Sequence, residues 1–285
     1  MTKACIQRHT HTDGDWLLAT RRCAPTLSGC ITEYVGYEER SRVPVRRLQV
    51  PHPNVTVIIN LGAPLAVHAP ALEQPGARYG SFVAGLFDTV AVTTNTGDSS
   101  GVEMIVTPLG MWQLFGVPMH ELVNSVVGFE ALSGRALSGL EDQLRGMTNW
   151  DARFDYLDSV LSSRLAQRGS APPALRWAVQ QLTCATGAAG VSEIARELQW
   201  SRRRLSASFR EHVGMTPKTF ARVWRFDRAV RSLREGRFTR WSSLAYECGY
   251  ADQAHLAREF REFAGLAPTE FLRRQRPDLG GLSAD

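Results

Sequence analysis

The sequence predicts an α+β chain with a β-rich N-terminal domain, a helical segment and an all-α C-terminal domain built around two helix-turn-helix units. Three observations predict it. β-Branched runs punctuated by Pro, Gly and Asn crowd the first 110 residues, one pattern is written twice in the last hundred, and charge divides between the halves. From 172 to 276 there are 19 Lys and Arg against 10 Asp and Glu, a net of +9 in a chain whose total is +5. A basic module joined to a mildly acidic one is the footprint of a polyanion-binding domain beside a different domain.

The β-rich part comes first. Runs at 31–35 (ITEYV), 55–59 (VTVII), 90–93 (VAVT) and 102–106 (VEMIV) read as short strands, the last ended by Thr107-Pro108-Leu109-Gly110. Several short strands between turn residues suggest a small barrel or sandwich. Helical patterns follow at 119–125, 138–145 and 150–167, and the stretch 169–173 (GSAPP) reads as a linker. The expected division is therefore 1–118 as a sensor-like domain, 119–168 as a helical linker or dimerisation segment, and 172–276 as the basic helical domain.

The repeated pattern runs from 191 to 220 and again from 241 to 271. Ala195 matches Ala245, Trp200 matches Tyr250, Leu205 matches Leu256, Phe209 matches Phe260, and Gly214 matches Gly265. The offset is 50 residues before the turn and 51 after it, so the difference is confined to the turn. Each copy reads helix, tight turn, helix, the shape that presents a second helix to a major groove. In the first copy Ile194, Ala195 and Leu198 face inward, Gln199-Trp200 turns, Ser201 caps the next helix, and Leu205, Phe209 and Val213 return to the core before Gly214. Arg202, Arg203, Ser206 and Arg210 are left outside. In the second copy Leu244, Ala245 and Cys248 face inward and Gly249-Tyr250-Ala251 turns. Asp252 caps, and Gln253, His255 and Arg258 are left outside. Ordinary amphipathic hairpins with solvated charged faces would explain either copy alone; repetition and charge together argue against that explanation.

With both turns, the connecting segment RVWRFDRAVRSL and the closing GLAPTEF in place, 172–276 resembles the double helix-turn-helix domain of the AraC/XylS family of bacterial transcription regulators. The resemblance covers rather more than a third of the chain. It implies that one monomer lays two recognition helices into successive major grooves of double-stranded DNA. By position, the DNA-facing set is then Ser201, Arg202, Arg203, Ser206, Ala207 and Arg210 in the first copy, and Asp252, Gln253, His255 and Arg258 in the second. Gln253 suits adenine and Arg258 suits guanine, whereas Ala207 departs from the long polar side chain common at that position and offers only an apolar contact. The N-termini at Ser201 and Asp252 suit phosphate. The same resemblance, architectural only over 1–168, implies a cupin-like barrel that senses a small-molecule effector, helices that dimerise, and RNA polymerase as a further partner.

For an effector cavity, the barrel-forming segments supply Tyr34, Arg46, His52, Asn60, His68 and Arg78, with Tyr37 as a further wall. Each is more simply explained as surface or loop polarity. The His9-Thr10-His11 pair with His52 and His68 is the only histidine set that suggests a metal, and its position ahead of any strong strand signal argues against one. There is no GxSxG, no Walker-type loop and no HExxH, and Cys5, Cys23, Cys30, Cys184 and Cys248 form no CxxC pair. The sequence thus predicts no catalytic residues, no cofactor, no metal and no membrane span, in a reduced cytoplasmic protein. The competing class is a barrel-domain enzyme, or a thiol redox switch at Cys23 and Cys30, fused to a DNA-binding module.

Overall fold

The computed structural model describes residues 3–11, 14–134, 137–184, 190–276 and 281–284. Strands β1 (Cys5–His11), β2 (Gly14–Arg21) and β3 (Ile31–Ser41) form an antiparallel meander. They are followed by β4 (Val45–Gln49), β5 (Val55–Asn60), β6 (Leu65–His68), β7 (Ala77–Tyr79), β8 (Phe82–Ala84), β9 (Ala91–Asn95) and β10 (Asp98–Val106). After helix α1 (Pro108–Phe115) the chain adds β11 (Val126–Gly128), then α2 (Phe129–Ser133), α3 (Leu140–Gly146) and α4 (Trp150–Ala166). The helical domain comprises α5 (Pro173–Thr183), α6 (Val191–Glu197), α7 (Arg202–His212), α8 (Pro217–Arg234), α9 (Trp241–Glu247), α10 (Gln253–Ala264) and α11 (Pro268–Arg274). The described chain closes with β12 (Gln275–Arg276) and β13 (Gly281–Ser283). An N-terminal domain of β-sheets thus precedes a helical helix-turn-helix domain, the α+β architecture that the punctuated β-branched runs and the duplicated pattern predict.

The strands make two sheets, ordered β1-β2-β3-β10-β5-β8-β11 and β12-β13-β4-β9-β6-β7. Central β5 is buried along nearly its whole length, as a VTVIIN run between two partners should be. β3 alternates more clearly. Tyr34 and Gly36 face α4, where the Trp150 ring lies so close to Gly36 that a Cβ there would meet it at 2.3 Å, and Phe154 stacks on Tyr34 at 5.6 Å. The buried Arg21 guanidinium ties β2 to α4 through Asp155 (2.5 Å) and Asp158 (2.7 Å).

At four places the structure departs from the sequence reading or adds to it. Cys5–His11 is a full strand, carried by its pairing with Gly14–Arg21 rather than by its own polar composition. Thr107-Pro108 does not merely stop a strand; the Thr107 hydroxyl accepts from Gly110 N and Pro108 occupies the first turn, which starts α1. The helix expected at 119–125 is a single 3-10 turn, Met119–Leu122, because Val123 is already extended and Asn124 takes φ 53°. Beyond α11, the tail returns to the N-terminal sheet, with Leu282 opposite Leu48 and Ser283 opposite Arg47 on β4.

The helical core follows the inward positions read from the repeat. Leu205, Phe209, Val213, Leu256, Phe260 and Phe263 are all at most 1% exposed. Phe226 of α8 lies between Phe260 (4.9 Å between centroids) and Phe263 (5.2 Å), welding the connecting helix to the second unit.

Candidate nucleic-acid interface and barrel cavity

The two turns open with the same bonding, the second carrying Ala251 as one extra residue before its cap. Trp200 N donates to Ala195 O at 2.9 Å and Tyr250 N to Ala245 O at 2.8 Å. Gln199 N reaches Arg196 O, and Gly249 N reaches Tyr246 O. This paired bonding ends a helix through one left-handed residue. Glycine supplies it at Gly249 (φ 81°), while Gln199 adopts φ 55° with a side chain attached. Ser201 then accepts from Arg204 N (3.1 Å), and Asp252 accepts from His255 N (2.7 Å), so both second helices start on a side-chain cap.

Those caps fix what each helix presents. On α7, Arg202, Arg203, Ala207 and Arg210 are exposed and Ser206 is half-buried, while Arg204 folds back over the Trp200 ring at 4.4 Å. On α10, Gln253 and Arg258 are exposed. His255 departs from its expected outward position: it packs edge-on against Tyr250 at 5.2 Å, half-buried, with Nε2 3.8 Å from Glu259. The caps at Ser201 and Asp252 use their side-chain oxygens internally, leaving backbone N–H groups as the means of meeting an anion.

Behind α10 lies a carboxylate that the outward-face reasoning overlooked. Glu259 is 5% exposed and accepts from Arg222 Nε (2.7 Å) and from Arg225 (3.0 Å), both on α8. Burial works to raise its pKa, but the two guanidiniums outweigh burial and hold the carboxyl below its ordinary value. Its spacing from Phe260 and Phe263 marks it as inward-facing, a signal the sequence does carry. Charge is thus partitioned. Arg222 and Arg225 are neutralised, whereas Arg202, Arg203, Arg210 and Arg258 make no ion pair among the described residues.

The N-terminal domain encloses a cavity of about 280 Å³ between its two sheets. Of the predicted effector residues, only His52 lines it. Tyr34 instead points to α4 and donates to Asp158 (3.0 Å), because it lies on the opposite face of β3 from Tyr37. Arg46 is exposed, and its neighbour Arg47 takes the inward register. Asn60 is buried but serves the turn after β5, donating to Ala63 O and accepting from Gly62 N, both at 2.9 Å. His68 and Arg78 lie exposed on β6 and β7. Tyr37 does form a wall.

The polar lining is organised by strand alternation. Val35, Tyr37 and Glu39 on β3 stand opposite Glu103, Gly101 and Ser99 on β10. Arg47 grips Glu39 with both terminal nitrogens (2.9 and 2.5 Å), and Asn95 adds a third bond at 2.6 Å. Period-two reading of YVGYEER would have found Tyr37 and Glu39; nothing local marks Glu103, whose place follows from sheet register. His52 bonds Thr56 at 3.3 Å, and burial, then Arg234, pushes its pKa down to about 4, so it is neutral at pH 7.

No group of three or more His, Cys, Asp or Glu among the described residues could hold a metal ion. His9 stacks on Trp16 at 4.1 Å, and the His11 side chain lies outside those described. Cys23 donates to Ile31 O (3.2 Å), and burial, then Asp158, pushes its thiol up to about 11, opposite to what a reactive thiolate needs. Among the described residues no helix is long and apolar enough to cross a membrane.

Residues 194–274 match a family described as a helix-turn-helix domain, and residues 20–128 match a domain of unknown function, DUF6597. A putative AraC-like transcription regulator of Streptomyces lividans is 33% identical over 89 residues, covering 31% of this chain and 28% of that protein. The HTH-type transcriptional activator RhaS of Escherichia fergusonii is 28% identical over 127 residues, covering 45% and 38%. The chain therefore spans well under half the length of these relatives. An apo ToxT structure from Vibrio cholerae aligns over 89% of this chain and 99% of that chain at 11% identity, with a TM-score of 0.49.

Proposed function

We propose that this chain, whose residues 194–274 match a helix-turn-helix domain and resemble AraC-like regulators, is a regulator of the AraC/XylS type that binds specific sites in double-stranded DNA with α7 and α10 in successive major grooves. The observation that supports this best is the partition of arginines. A solvated charged face gains from surface ion pairs, yet Arg202, Arg203, Arg210 and Arg258 have none among the described residues while the arginines behind α10 are neutralised. Phosphates and base edges are the missing counterpart. α8, at 18 residues, is about 27 Å long at 1.5 Å per residue, which with the widths of two helices suits the roughly 34 Å between grooves.

Within this reading Arg203 and Ser206 read bases from α7, with Ala207 limited to an apolar contact. From α10, Gln253 and Arg258 read bases. Ser201, Arg202, Arg210 and Asp252 lie where the backbone passes, and His255 supports the turn through Tyr250. The N-terminal domain senses a small molecule in its cavity, the protein acts as a homodimer, RNA polymerase is a further partner, and no catalytic step is involved. The raised Cys23 thiol speaks against the redox alternative.

A mobility-shift titration of the full chain tests the core of this. Its own promoter region should be preferred over random DNA by at least about a thousandfold, and affinity for both should fall steeply between 50 and 200 mM salt as about 6–10 phosphate contacts release counterions. Equal affinity for the two DNAs would reject sequence-specific binding.

A further inference from the structure

The cavity wall carries one carboxyl that no described residue answers. Among its ionisable lining residues, Glu39 and Arg47 are paired with each other, and Glu38 lies 3.8 Å from Arg153. His52 is neutral at pH 7. Glu103 remains, with no hydrogen bond or ion pair to any described residue. Burial pushes its carboxyl above the ordinary value, and Glu33, two residues before Val35 on the same face of β3, pushes it further. Arg47 is the one arginine or lysine lining the cavity among the described residues, and it is committed to Glu39.

Around this carboxyl the lining is aromatic and apolar: Trp16, Tyr37, Phe82 and Phe87 contribute rings. The buried Thr89 hydroxyl has no hydrogen-bond partner among the described residues, and that of Tyr37 has only a contact with Ser99 outside good hydrogen-bond geometry. The Tyr37 oxygen lies over Gly101, where a Cβ would approach it to 2.7 Å, so the glycine makes room for the phenol. A buried carboxylate without a partner is strongly disfavoured, and a cation delivered to it recovers the lost electrostatic energy. Aromatic faces add to the attraction for an ammonium group. An acidic molecule would meet Glu103 with no uncommitted lysine or arginine among the described lining residues to offset it.

We propose that this cavity binds a compact, mainly apolar organic amine whose ammonium group sits against Glu103 among the aromatic rings, with the Tyr37 and Thr89 hydroxyls serving an acceptor on the same molecule. The proposal rests on the reading of the N-terminal domain as a sensor and names the class of ligand it senses.

The test uses the full chain and three probes of one shape: 4-phenylbutylamine, 4-phenylbutanol and 4-phenylbutyrate, titrated by calorimetry and thermal melting. The amine should bind at least tenfold more tightly than the alcohol, and the acid should be the weakest. Glu103→Gln, which keeps the side-chain shape, should bring the amine down to the alcohol's affinity while the unliganded protein still melts cooperatively. Tyr37→Phe should leave the amine's advantage over the acid intact, since it removes no charge. Tighter binding of the acid, no binding of the amine, or an amine affinity indifferent to Glu103→Gln would each overturn the assignment. A parallel mobility shift separates this from the sensor reading. Glu103-dependent amine binding that leaves DNA affinity unchanged would uphold the ligand class and reject sensing. A tighter-binding acid that alters DNA affinity would do the reverse.

Discussion

Two side chains at equivalent positions show how much a single residue decides. Ala207 and Arg258 occupy matching slots on α7 and α10, both exposed, but only the arginine can fork onto a guanine edge. Arg258 makes no ion pair among the described residues, so its removal should leave the fold alone. Arg258→Ala is expected to cost about 1–3 kcal/mol of binding to the specific site and to relax preference at one base pair. Titrations against specific and random DNA at fixed salt check this; an equal loss on both would reassign Arg258 to phosphate. His255 shows where residue-level reading fails. Its position reads as outward, but its ring finds the Tyr250 edge, which wheel geometry does not register, and lies one turn before the inward Glu259, which the wheel does place beside it. The cavity residues fail for a related reason. Arg46 and Arg47, or Tyr34 and Tyr37, are equivalent in composition, and only strand register decides which one faces in.

At the scale of elements, the repeat was legible because its information is local. Within each copy the small residue, the cap and the inward Leu and Phe lie close in sequence, from Ala195 to Phe209 in the first and from Ala245 to Phe263 in the second. What holds α10 to α8 is not local: Glu259 meets Arg222 and Arg225 across 37 and 34 residues. The carboxyl's pKa is lowered in the folded state, so its contribution is complete above the ordinary value near 4.5 and is lost as pH falls through the folded value. Glu259→Gln should therefore destabilise the protein by about 1–3 kcal/mol at pH 7, a figure kept low because both arginines remain about a quarter exposed. The variant should also lose less stability than the parent on acidification below pH 4.5. Denaturant melts of both proteins across pH 3–7 measure the difference; parallel pH profiles would show that the ion pairs contribute nothing to folding. Strand β1 was illegible for the same reason, since its polar sequence becomes a strand only against β2.

Across the whole molecule, the two domains touch at places that neither repeat nor strand pattern foretells. The C-terminal end of α7 rests on the N-terminal domain, where His212 packs on Trp112 at 4.6 Å and Glu211 lies 3.7 Å from His120. Gly214 runs so close that a Cβ would come within 2.9 Å of Met119 O. At the far end, Ser283 pairs with Arg47, whose guanidinium lines the cavity with Glu39. The reading domain is thus joined on both sides to the domain that holds the cavity, while the exposed faces of α7 and α10 stay uncovered. The central claim is that both faces engage DNA together. Hydroxyl-radical footprinting of the full chain on its specific site measures this directly. Two protected patches about 10 bp apart on one face of the duplex are expected, with Arg203→Ala weakening one and Arg258→Ala the other. A single patch, unaffected by one of the two substitutions, would contradict it.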